Sequence, residues 1–192
     1  MRPNDVTRIL EEVGAIRQGH FELTSGLHSA TYVQCALVLQ YPKYAEQLGR
    51  ALAAEFMDLR LDCVASPALG GVILGHEVAR AAGLPFLFTE RDGAGKMTLR
   101  RGFSVRPGET AVVIEDVVTT GGSTREVIKL LQEMGVKVAA AGSIIDRSGG
   151  SVDLGVPRFA LATLQVKAWE PESCPLCRQG IPVVKPGSRP SA

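Results

Sequence analysis

Two adjacent acidic residues, Glu115 and Asp116, stand between an apolar run and a loop of hydroxyls and glycines. The apolar run, residues 111–114, reads Ala-Val-Val-Ile, which is typical of a strand buried on both faces of a parallel sheet. The loop, residues 119–124, reads Thr-Thr-Gly-Gly-Ser-Thr. We therefore expect the strand to end at the acids, beside a ligand that presents hydroxyl groups or positive charge to them.

A helix is predicted directly after this loop. Apolar residues recur at helical spacing through positions 125–134, and Gly135 stands where a helix stop belongs. Ser123, followed three residues later by Glu126, predicts a capping box. A glycine-rich loop that leads into a helix binds anions, because free backbone N–H groups and the positive end of the helix dipole meet there. A ribose 5-phosphate satisfies both the loop and the acids.

The segment 111–124 resembles the 5-phosphoribosyl-1-pyrophosphate (PRPP) signature of type I phosphoribosyltransferases. The shared features are an apolar run, two acids, two apolar residues and a Thr/Gly loop. The alternative, a strand end in a nucleotide hydrolase, requires a P-loop elsewhere. Residues 93–96 come nearest to one, but Glu90 replaces its first glycine and Met97 replaces its Ser/Thr. The sequence therefore contains no P-loop.

The composition limits the classes of function. The chain has 192 residues, 45% of them hydrophobic, so we expect one domain with a sizeable core. A net charge of +1 gives no basic field for nucleic acid. No 18-residue apolar run or signal-like segment is present, so we expect no membrane partner and a cytoplasmic protein. The four cysteines do not form a secreted disulfide framework.

Strand and helix patterns alternate along the chain, which predicts an α/β fold with a mostly parallel sheet flanked by helices. The first helix is predicted over residues 4–16, capped by Asn4 or Asp5, and a longer one over 42–59. The resemblance implies the type I phosphoribosyltransferase fold over residues 1–170. It also implies a small N-terminal hood over about residues 1–40, which leaves 171–192 as a Pro- and Gly-rich tail.

The hood is expected to be a hairpin. Residues 19–33 alternate like a strand, turn at Ser25 and Gly26, and return as a strand. The pattern Phe-x-Leu-x-Ser-Gly-x-x-Ser, from Phe21 to Ser29, resembles the hood of orotate phosphoribosyltransferases, which covers the base. A plain hairpin is the alternative. His28 is expected to be a surface or turn residue.

A second strand–glycine–helix junction lies at Gly70 and Gly71, after a strand predicted over residues 62–67. Type I enzymes place there a loop that contacts pyrophosphate through backbone amides. A generic turn is the alternative, because a lone Gly-Gly pair is weak evidence.

Residues 92–102 are glycine-rich, carry cations and lack an apolar period, which predicts a mobile lid after a strand over residues 86–91. The resemblance implies that this loop closes over pyrophosphate and comes from the other subunit of a homodimer. Lys96 is then the expected catalytic cation, with Arg91, Arg100 and Arg101 as alternatives. A solvated loop with incidental charge is the other interpretation.

Arg147 follows a strand predicted over residues 136–145. Ligands bind at the carboxyl edge of such sheets, and the planar guanidinium suits a carboxylate. Its position also resembles that of the arginine that holds the carboxylate of orotate in the family. A surface ion pair of Asp146 and Arg147 is the alternative.

The resemblance implies a Mg²⁺-dependent transfer of the phosphoribosyl group from PRPP to orotate, with Glu115, Asp116 and Lys96 catalytic. It assigns orotate to Thr119 and Arg147, and leaves Mg²⁺ mainly to the substrate, so no metal site of protein ligands is predicted. The alternatives are a purine-base phosphoribosyltransferase and a PRPP-sensing regulator. The implied PRPP-binding residues are Arg91, Lys96, Glu115, Asp116, Val117, Val118, Thr119, Thr120, Gly121, Gly122 and Ser123.

Cys174 and Cys177 form a Cys-x-x-Cys pair in the tail. A structural zinc needs four ligands, and no second pair lies nearby in the sequence. A redox pair opens a helix after a strand, whereas this pair is expected in an extended tail. We interpret it as a local turn, with a metal shared between chains as the alternative.

Overall fold

The structure is a computed structural model that describes residues 1–23 and 25–186. Thr24, within the predicted hood pattern, and residues 187–192 of the predicted tail lie outside the described residues. The helices are α1 (Pro3–Glu12), α2 (Ala36–Leu39), α3 (Pro42–Ala54), α4 (Gly70–Ala82), α5 (Gly122–Glu133) and α6 (Pro175–Arg178). The strands are β1 (Ile16–Glu22), β2 (His28–Val33), β3 (Cys63–Pro67), β4 (Phe86–Arg91), β5 (Met97–Leu99), β6 (Thr110–Val118), β7 (Lys137–Asp146), β8 (Arg158–Thr163) and β9 (Ala168–Trp169).

The larger sheet has six strands in the order β5-β4-β3-β6-β7-β8. All neighbouring pairs are parallel except β4 and β5, which confirms the predicted mostly parallel α/β sheet. Its central strand β6 buries residues 111–114 completely. Because strands buried on both faces read as continuous apolar runs, this strand was visible in the sequence.

Helices cover both faces of this sheet. One core joins α3 and α4 to the sheet through side chains such as Leu52, Leu74 and Ile114. The other joins α5 to the opposite face through Val127 and Leu131. Each buried leucine contributes about 1.5–3 kcal/mol relative to an exposed one, so the two cores hold the strand ends in fixed positions.

Three predicted helix boundaries are wrong, and one of them is the end of α1, which stops at Glu12 rather than at residue 16, where β1 already begins. Helix α1 is capped by Arg2, without a capping side-chain hydrogen bond, and Asp5 in its first turn pairs with Arg2 at 3.0 Å. The predicted helix 42–59 ends at Ala54, because the chain turns there and buries Phe56 outside the helix. Periodicity alone does not separate a helix from a turn that continues to bury an apolar side chain.

A second sheet forms the hood. Strands β1 and β2 pair in antiparallel fashion, which confirms the hairpin, and β9 adds a third strand beside β2. His28 is only 7% exposed, so the prediction of a surface position is wrong. The tail returns to this sheet, because the Val184 N–H donates to the His20 carbonyl at 2.8 Å. Among the described residues no helix is long and apolar enough to span a membrane.

Candidate active site

The acid pair lies inside strand β6, which runs to Val118 rather than ending at residue 114. Glu115 is in register with Ser143 of β7, and the ladder continues to Val118 and Asp146. The prediction that the acids follow the strand is therefore wrong by several residues. Because β7 is equally long, pairing with it keeps β6 extended past the acids and places their side chains on a rigid strand.

Both carboxyl groups are strongly desolvated. Glu115 is 9% exposed, and Asp116 is partly buried beside it. Backbone N–H groups satisfy part of the pair: Asp116 N–H donates to Glu115 Oε1 at 3.2 Å, and Val117 N–H donates to Asp116 Oδ1 at 2.8 Å. Burial raises the pKa of both groups, and the charge of Asp116 raises the pKa of Glu115 further. Such a pair favours a ligand that supplies hydroxyl donors or positive charge.

The glycine junction at the start of α4 lies directly against the acids. A Cβ on Gly70 would stand 2.6 Å from Asp116 Oδ1, and a Cβ on Gly71 would stand 2.7 Å from the Ile114 carbonyl oxygen. The chain at 68–71, which contains a cis peptide bond between Ala68 and Leu69, therefore packs on the carboxyl end of β6. A larger residue at position 70 would displace the Asp116 carboxylate.

The loop after β6 leads into α5 as predicted, but its cap differs. Gly121 is the N-cap with a left-handed φ of 72°, and the described residues provide no capping side chain. The capping-box prediction for Ser123 and Glu126 is therefore wrong. Glu126 instead accepts a hydrogen bond from Arg91 Nη1 at 2.7 Å. The first N–H groups of α5 have no acceptor within the helix, which leaves them free for an anion.

Arg125 holds this loop in place through hydrogen bonds to backbone carbonyls. Its Nη2 donates to the Thr120 carbonyl at 2.6 Å, and its Nη1 donates to the Asp153 carbonyl at 2.8 Å. A Cβ on Gly121 would meet Leu154 Cδ2 at 2.6 Å, so glycine is needed both for the backbone conformation and for the packing. Arg125 was missed in the sequence because its partners are backbone carbonyls, which leave no pattern of residue types.

Arg147 directly follows the last residue of β7, and its backbone N–H donates a hydrogen bond to the Val118 carbonyl at 2.8 Å. Its Nε is buried and has no hydrogen-bond partner among the described residues. Burial lowers the pKa of Arg147, and the charges of Tyr32 and Cys35 partly oppose this shift. The guanidinium therefore lies beside the hood, and no ion pair joins it to an acidic side chain in the part of the chain that the structure describes.

Asp146 does not pair with Arg147. It accepts a hydrogen bond from the Ser148 hydroxyl at 2.6 Å and forms an ion pair with Arg158. Hydrogen bonds from Ser148 and Arg158 outweigh burial and hold the pKa of Asp146 below its usual value. The alternative of an ion pair between Asp146 and Arg147 is therefore wrong.

Residues 92–96 form a tight turn between β4 and β5. Asp92 Oδ1 accepts hydrogen bonds from the N–H groups of Ala94 and Lys96, both at 2.9 Å. The segment proposed as a lid thus contains a returning strand, Met97–Leu99, and Met97 is buried. Arg100 follows that strand rather than lying on it.

The four cations of this region differ in their partners. Arg91 pairs with Glu126, and Arg101 pairs with Glu90 at 2.7 Å. Lys96 and Arg100 make no ion pair with the described residues. The structure joins Arg91 to the start of α5 and leaves Lys96 exposed on the turn.

The sequence model of the family described as phosphoribosyl transferase domain matches residues 38–155, which include β6, the loop and Arg147. This chain belongs to the phosphoribosyltransferase family. A protein of Pelotomaculum thermopropionicum named orotate phosphoribosyltransferase is 54% identical over 189 residues, covering 98% of this chain and 99% of that protein. A protein of the same name from Thermotoga maritima is 53% identical over 184 residues, covering 96% and 98%.

Solved structures agree with this family assignment. The crystal structure of orotate phosphoribosyltransferase from Aeropyrum pernix superposes with a TM-score of 0.71 at 26% identity, over 83% of this chain and 94% of that one. The adenine phosphoribosyltransferase of Thermoanaerobacter pseudethanolicus gives a TM-score of 0.67 at 19% identity, over 81% and 99%, and shows the shared fold alone. The predicted type I fold is confirmed.

The phosphoribosyltransferase also contains a cavity of about 590 Å³ between α3 and α4. Leu61, Val64 and Val112 line it near the beginning of the strands. The acids, the loop and Arg147 instead lie at the carboxyl ends. The candidate site is therefore the open edge where parallel α/β sheets bind their ligands.

Proposed function

We propose that this phosphoribosyltransferase transfers the 5-phosphoribosyl group of PRPP to orotate, giving orotidine 5′-monophosphate and pyrophosphate. The observation that carries the proposal is the partly buried Arg147 side chain, whose buried Nε has no hydrogen-bond partner among the described residues and which lies at the same edge as the acid pair. Orotate carries a carboxylate that such a guanidinium can hold. The names of full-length relatives that are more than 50% identical support the same substrate.

The acids would act on the ribose. Breaking the bond at the anomeric carbon creates oxocarbenium character, so the protein's task is positioning and electrostatic stabilisation. Asp116 and Glu115 would accept hydrogen bonds from the 2- and 3-hydroxyls and favour the developing positive charge. Val117 and Val118 continue the strand beside them and would line the ribose.

The loop would hold the 5′-phosphate as a fixed handle. Thr119 and Thr120 are exposed, and the first N–H groups of α5 have no helical acceptor. Residues 119–123 would therefore grip the phosphate, and Thr119 would also contact orotate. Binding energy from this remote group is then used at the reacting centre.

The leaving pyrophosphate needs cations. Lys96 would provide one, since it is exposed and makes no ion pair with the described residues. Arg91 would provide another on release from Glu126. We propose that the turn closes over the site of the other subunit in a homodimer, which excludes water from the sugar cation.

The shared lid has a direct test. Lys96→Ala and Asp116→Asn, each nearly inactive alone, should recover part of the activity when the two variants are mixed and allowed to exchange subunits. Recovery is expected because one mixed active site carries both intact residues. A mixture that stays as inactive as the separate variants would place both residues in one subunit.

The residues fit a Mg²⁺ ion held mainly by substrate. Carboxylate oxygens suit this hard cation, but the described residues bring no third potential ligand to Glu115 and Asp116. PRPP and water would supply the remaining oxygens. Mg²⁺, when bound with PRPP, neutralises negative charge on the pyrophosphate leaving group.

A purine-base phosphoribosyltransferase is the alternative within the family. Adenine offers no anion, so a purine site would leave the partly buried Arg147 guanidinium without an anionic partner from the base. A PRPP-sensing regulator that binds nucleic acid has no comparable support, because the net charge is +1. We place the reaction in pyrimidine (UMP) biosynthesis in the cytoplasm.

A panel of bases tests the proposal. The full chain is incubated with PRPP, Mg²⁺ and one base at a time, and pyrophosphate release is followed. We expect release with orotate and background with adenine, hypoxanthine, xanthine and uracil. Release with a purine but not with orotate would overturn the substrate, and no release with any base would overturn the enzyme.

A further inference from the structure

Four side chains from the two ends of the chain converge at the hood. His20 lies on β1, His28 begins β2, and Cys174 and Cys177 lie at the start of α6 and within it. One ligand atom from each lies within 4.8 Å of the other three. We propose that these residues bind a structural Zn²⁺ ion that fastens the tail to the hood; we call this group the His–Cys clasp.

The distances suit a tetrahedral ion. With Zn–N of about 2.0–2.1 Å and Zn–S of about 2.3 Å, the edges of the tetrahedron are about 3.3–3.8 Å. The Cys174 Sγ–His20 Nε2 separation is 3.5 Å, and Cys177 Sγ stands 3.7 Å from His20 Nε2 and 3.3 Å from His28 Nδ1. The two nitrogens are 2.9 Å apart, so they need to separate by a few tenths of an ångström to admit the ion.

The surroundings of His20 also match a metal ligand. Its Nδ1 lies 2.7 Å from the Ile181 carbonyl oxygen, and a carbonyl can only accept, so the ring proton sits on Nδ1. The Nε2 lone pair then points into the clasp. Zinc-bound histidines commonly donate their other N–H to a carbonyl in this way. On binding zinc, His28 would carry its proton on Nε2, and the two thiols would release theirs.

A bulge in β1 and the start of α6 orient the ligand side chains toward one another. The register of β1 against β2 shifts between Gln18 and Phe21, and this bulge makes His20 and Phe21 consecutive buried residues. In the tail, Cys174 is the N-cap of α6 and Cys177 lies three residues on, so both thiols face one side. Without the bulge, strand alternation would place His20 and Phe21 on opposite faces.

The ligand set indicates zinc in a structural role. Two thiolates and two imidazoles in a tetrahedral arrangement are typical of closed zinc sites without an open position for substrate. Cys174 is fully buried, and His20 and His28 are 3% and 7% exposed. Both imidazole rings are therefore shielded from solvent, as the ligands of a closed metal site are. All four ligands would come from one chain, whereas the alternative considered from the sequence was a metal shared between chains.

A clasp here would join two otherwise small units. The hood sheet has three strands, and its third strand contains two residues. The tail adds the Val184 bridge to Phe21 and an exposed ion pair between Lys185 and Glu22. An exposed ion pair contributes little to stability, and small sheets often need a disulfide or metal. Zinc would therefore supply much of the attachment of the tail.

The test begins with the metal content of the full-length protein, purified without chelator and measured by mass spectrometry of the elements. We expect about one zinc per chain, and X-ray absorption should show two sulfur and two nitrogen ligands at the distances given above. Loss of an outer-sphere partner alone weakens zinc affinity about 10–100-fold. Cys177→Ser and His28→Asn remove direct ligands, so each should bind zinc at least tenfold more weakly and should lose it on dialysis against a competing chelator that leaves the wild type loaded.

Matched controls separate the clasp from general effects. Cys63→Ser and His76→Asn change the same residue types elsewhere and should retain the full zinc content. Far-ultraviolet circular dichroism checks that each variant is folded, and Cys177 is exposed, which makes it the variant best suited to remain so. If a ligand variant is unfolded, wild-type protein stripped by chelator and refilled with Zn²⁺ replaces it.

Several results would overturn the proposal. One is wild-type protein that neither contains zinc nor takes up one equivalent after chelation. Another is an unchanged zinc content in folded Cys177→Ser. A third is a mass two hydrogens lower in freshly purified protein, with Cys174 and Cys177 in a disulfide. Binding of iron in preference to zinc would overturn the choice of metal.

Discussion

The acid pair on β6 and the His–Cys clasp both bury ionisable groups, but the consequences for stability are opposite. At the acid pair, burial raises the pKa values of Glu115 and Asp116, the charge of Asp116 raises the pKa of Glu115 further, and no cation among the described residues pairs with them. At the clasp, the four nitrogen and sulfur atoms lie within 4.8 Å of one another, so a single cation could bind all of them. We therefore expect the first region to cost stability in the absence of its proposed ligand, and the second to increase stability when the proposed Zn²⁺ is bound.

The two regions also differ in how the sequence encodes them. Residues 111–124 are contiguous, so residue types and spacing revealed the acids and the anion loop together. The clasp joins His20 and His28 to Cys174 and Cys177, more than a hundred residues away, and a bulge aims one of the histidines. A contiguous motif can be recognised from the sequence alone. A site assembled from both ends of the chain can be recognised only once the fold is known.

The largest expected effect follows from Asp116→Asn. The change removes a charge that the proposed transition state needs, so kcat should fall by about 10²–10³. Steady-state pyrophosphate release with orotate measures it, and zinc content should not change because the clasp is a separate region. Asp58→Asn, an exposed aspartate on the surface, should keep the wild-type rate. Wild-type kcat in Asp116→Asn would remove this residue from the mechanism.

Arg147→Ala should act mainly on orotate. Hydrogen bonds to charged groups contribute about 1.5–3 kcal/mol, so KM for orotate should rise roughly 10–100-fold. KM for PRPP should change little. Arg50→Ala, an exposed arginine of α3, serves as the control. An equal rise in both KM values would indicate that Arg147 supports the edge of the sheet rather than the base.

Gly70→Ala tests the contact between α4 and the acid pair. The new Cβ would meet the Asp116 carboxylate at 2.6 Å, and displacement of that group should lower kcat/KM about tenfold, within the loss of up to 10²-fold that 1 Å misplacement causes. Thermal stability should hardly change, because the Asp116 carboxyl group is the end of a side chain and can move away from the new Cβ.

Gly49→Ala is the matched control, in which we expect the opposite result, a loss of stability without a loss of activity. Its Cβ would stand 2.5 Å from Glu77 Cβ and 2.9 Å from Glu77 C, far from the acids. Overpacking of this kind costs about 1–3 kcal/mol of stability, with kcat unchanged. Thermal denaturation and kinetics on both glycine variants check the pair. Loss of stability but full activity in Gly70→Ala would contradict the role assigned to this contact.

The smallest effect is a gain in stability. The folded-state pKa of Glu115 is raised, so the folded protein holds the proton more tightly than the unfolded chain. Stability from this group is therefore lost as pH rises from the ordinary carboxyl range, about 4.3, to the raised pKa. Glu115→Gln removes that loss and should be more stable than wild type at pH 7.

Thermal denaturation between pH 4 and 8 measures the stability of Glu115→Gln. The difference in Tm should grow with pH, at roughly 2–4 °C for each 1 kcal/mol gained. The same variant should be less active, whereas Cys177→Ser at the clasp should be less stable. A Glu115→Gln protein that is less stable than wild type at neutral pH would contradict the contrast between the two regions.

Much of the fold could be predicted from local patterns. The buried run of β6, the hairpin and the parallel sheet follow from alternation and apolar content. The length of β6 could not, since pairing with β7 carries it past two acids that disfavour strands. The capping box failed because Glu126 pairs with Arg91, 35 residues away. Tertiary contacts overrode the local signal in each case.

The candidate site shows the same division. Glu115, Asp116 and the loop were found by their spacing, and Arg147 by its place after a strand. The sequence did not show that Arg147 has no ion-pair partner among residues 1–23 and 25–186. Its neighbour Asp146 pairs with Arg158 and Ser148 instead, and these contacts depend on the fold. Arg125 was also hidden, since it binds carbonyls.

The most direct test of the account is a crystal structure of the protein with ribose 5-phosphate. We predict the phosphate on the first N–H groups of α5 and the 2- and 3-hydroxyls within hydrogen-bond distance of Glu115 and Asp116. A sugar phosphate bound in the cavity between α3 and α4, with residues 115–123 empty, would contradict it.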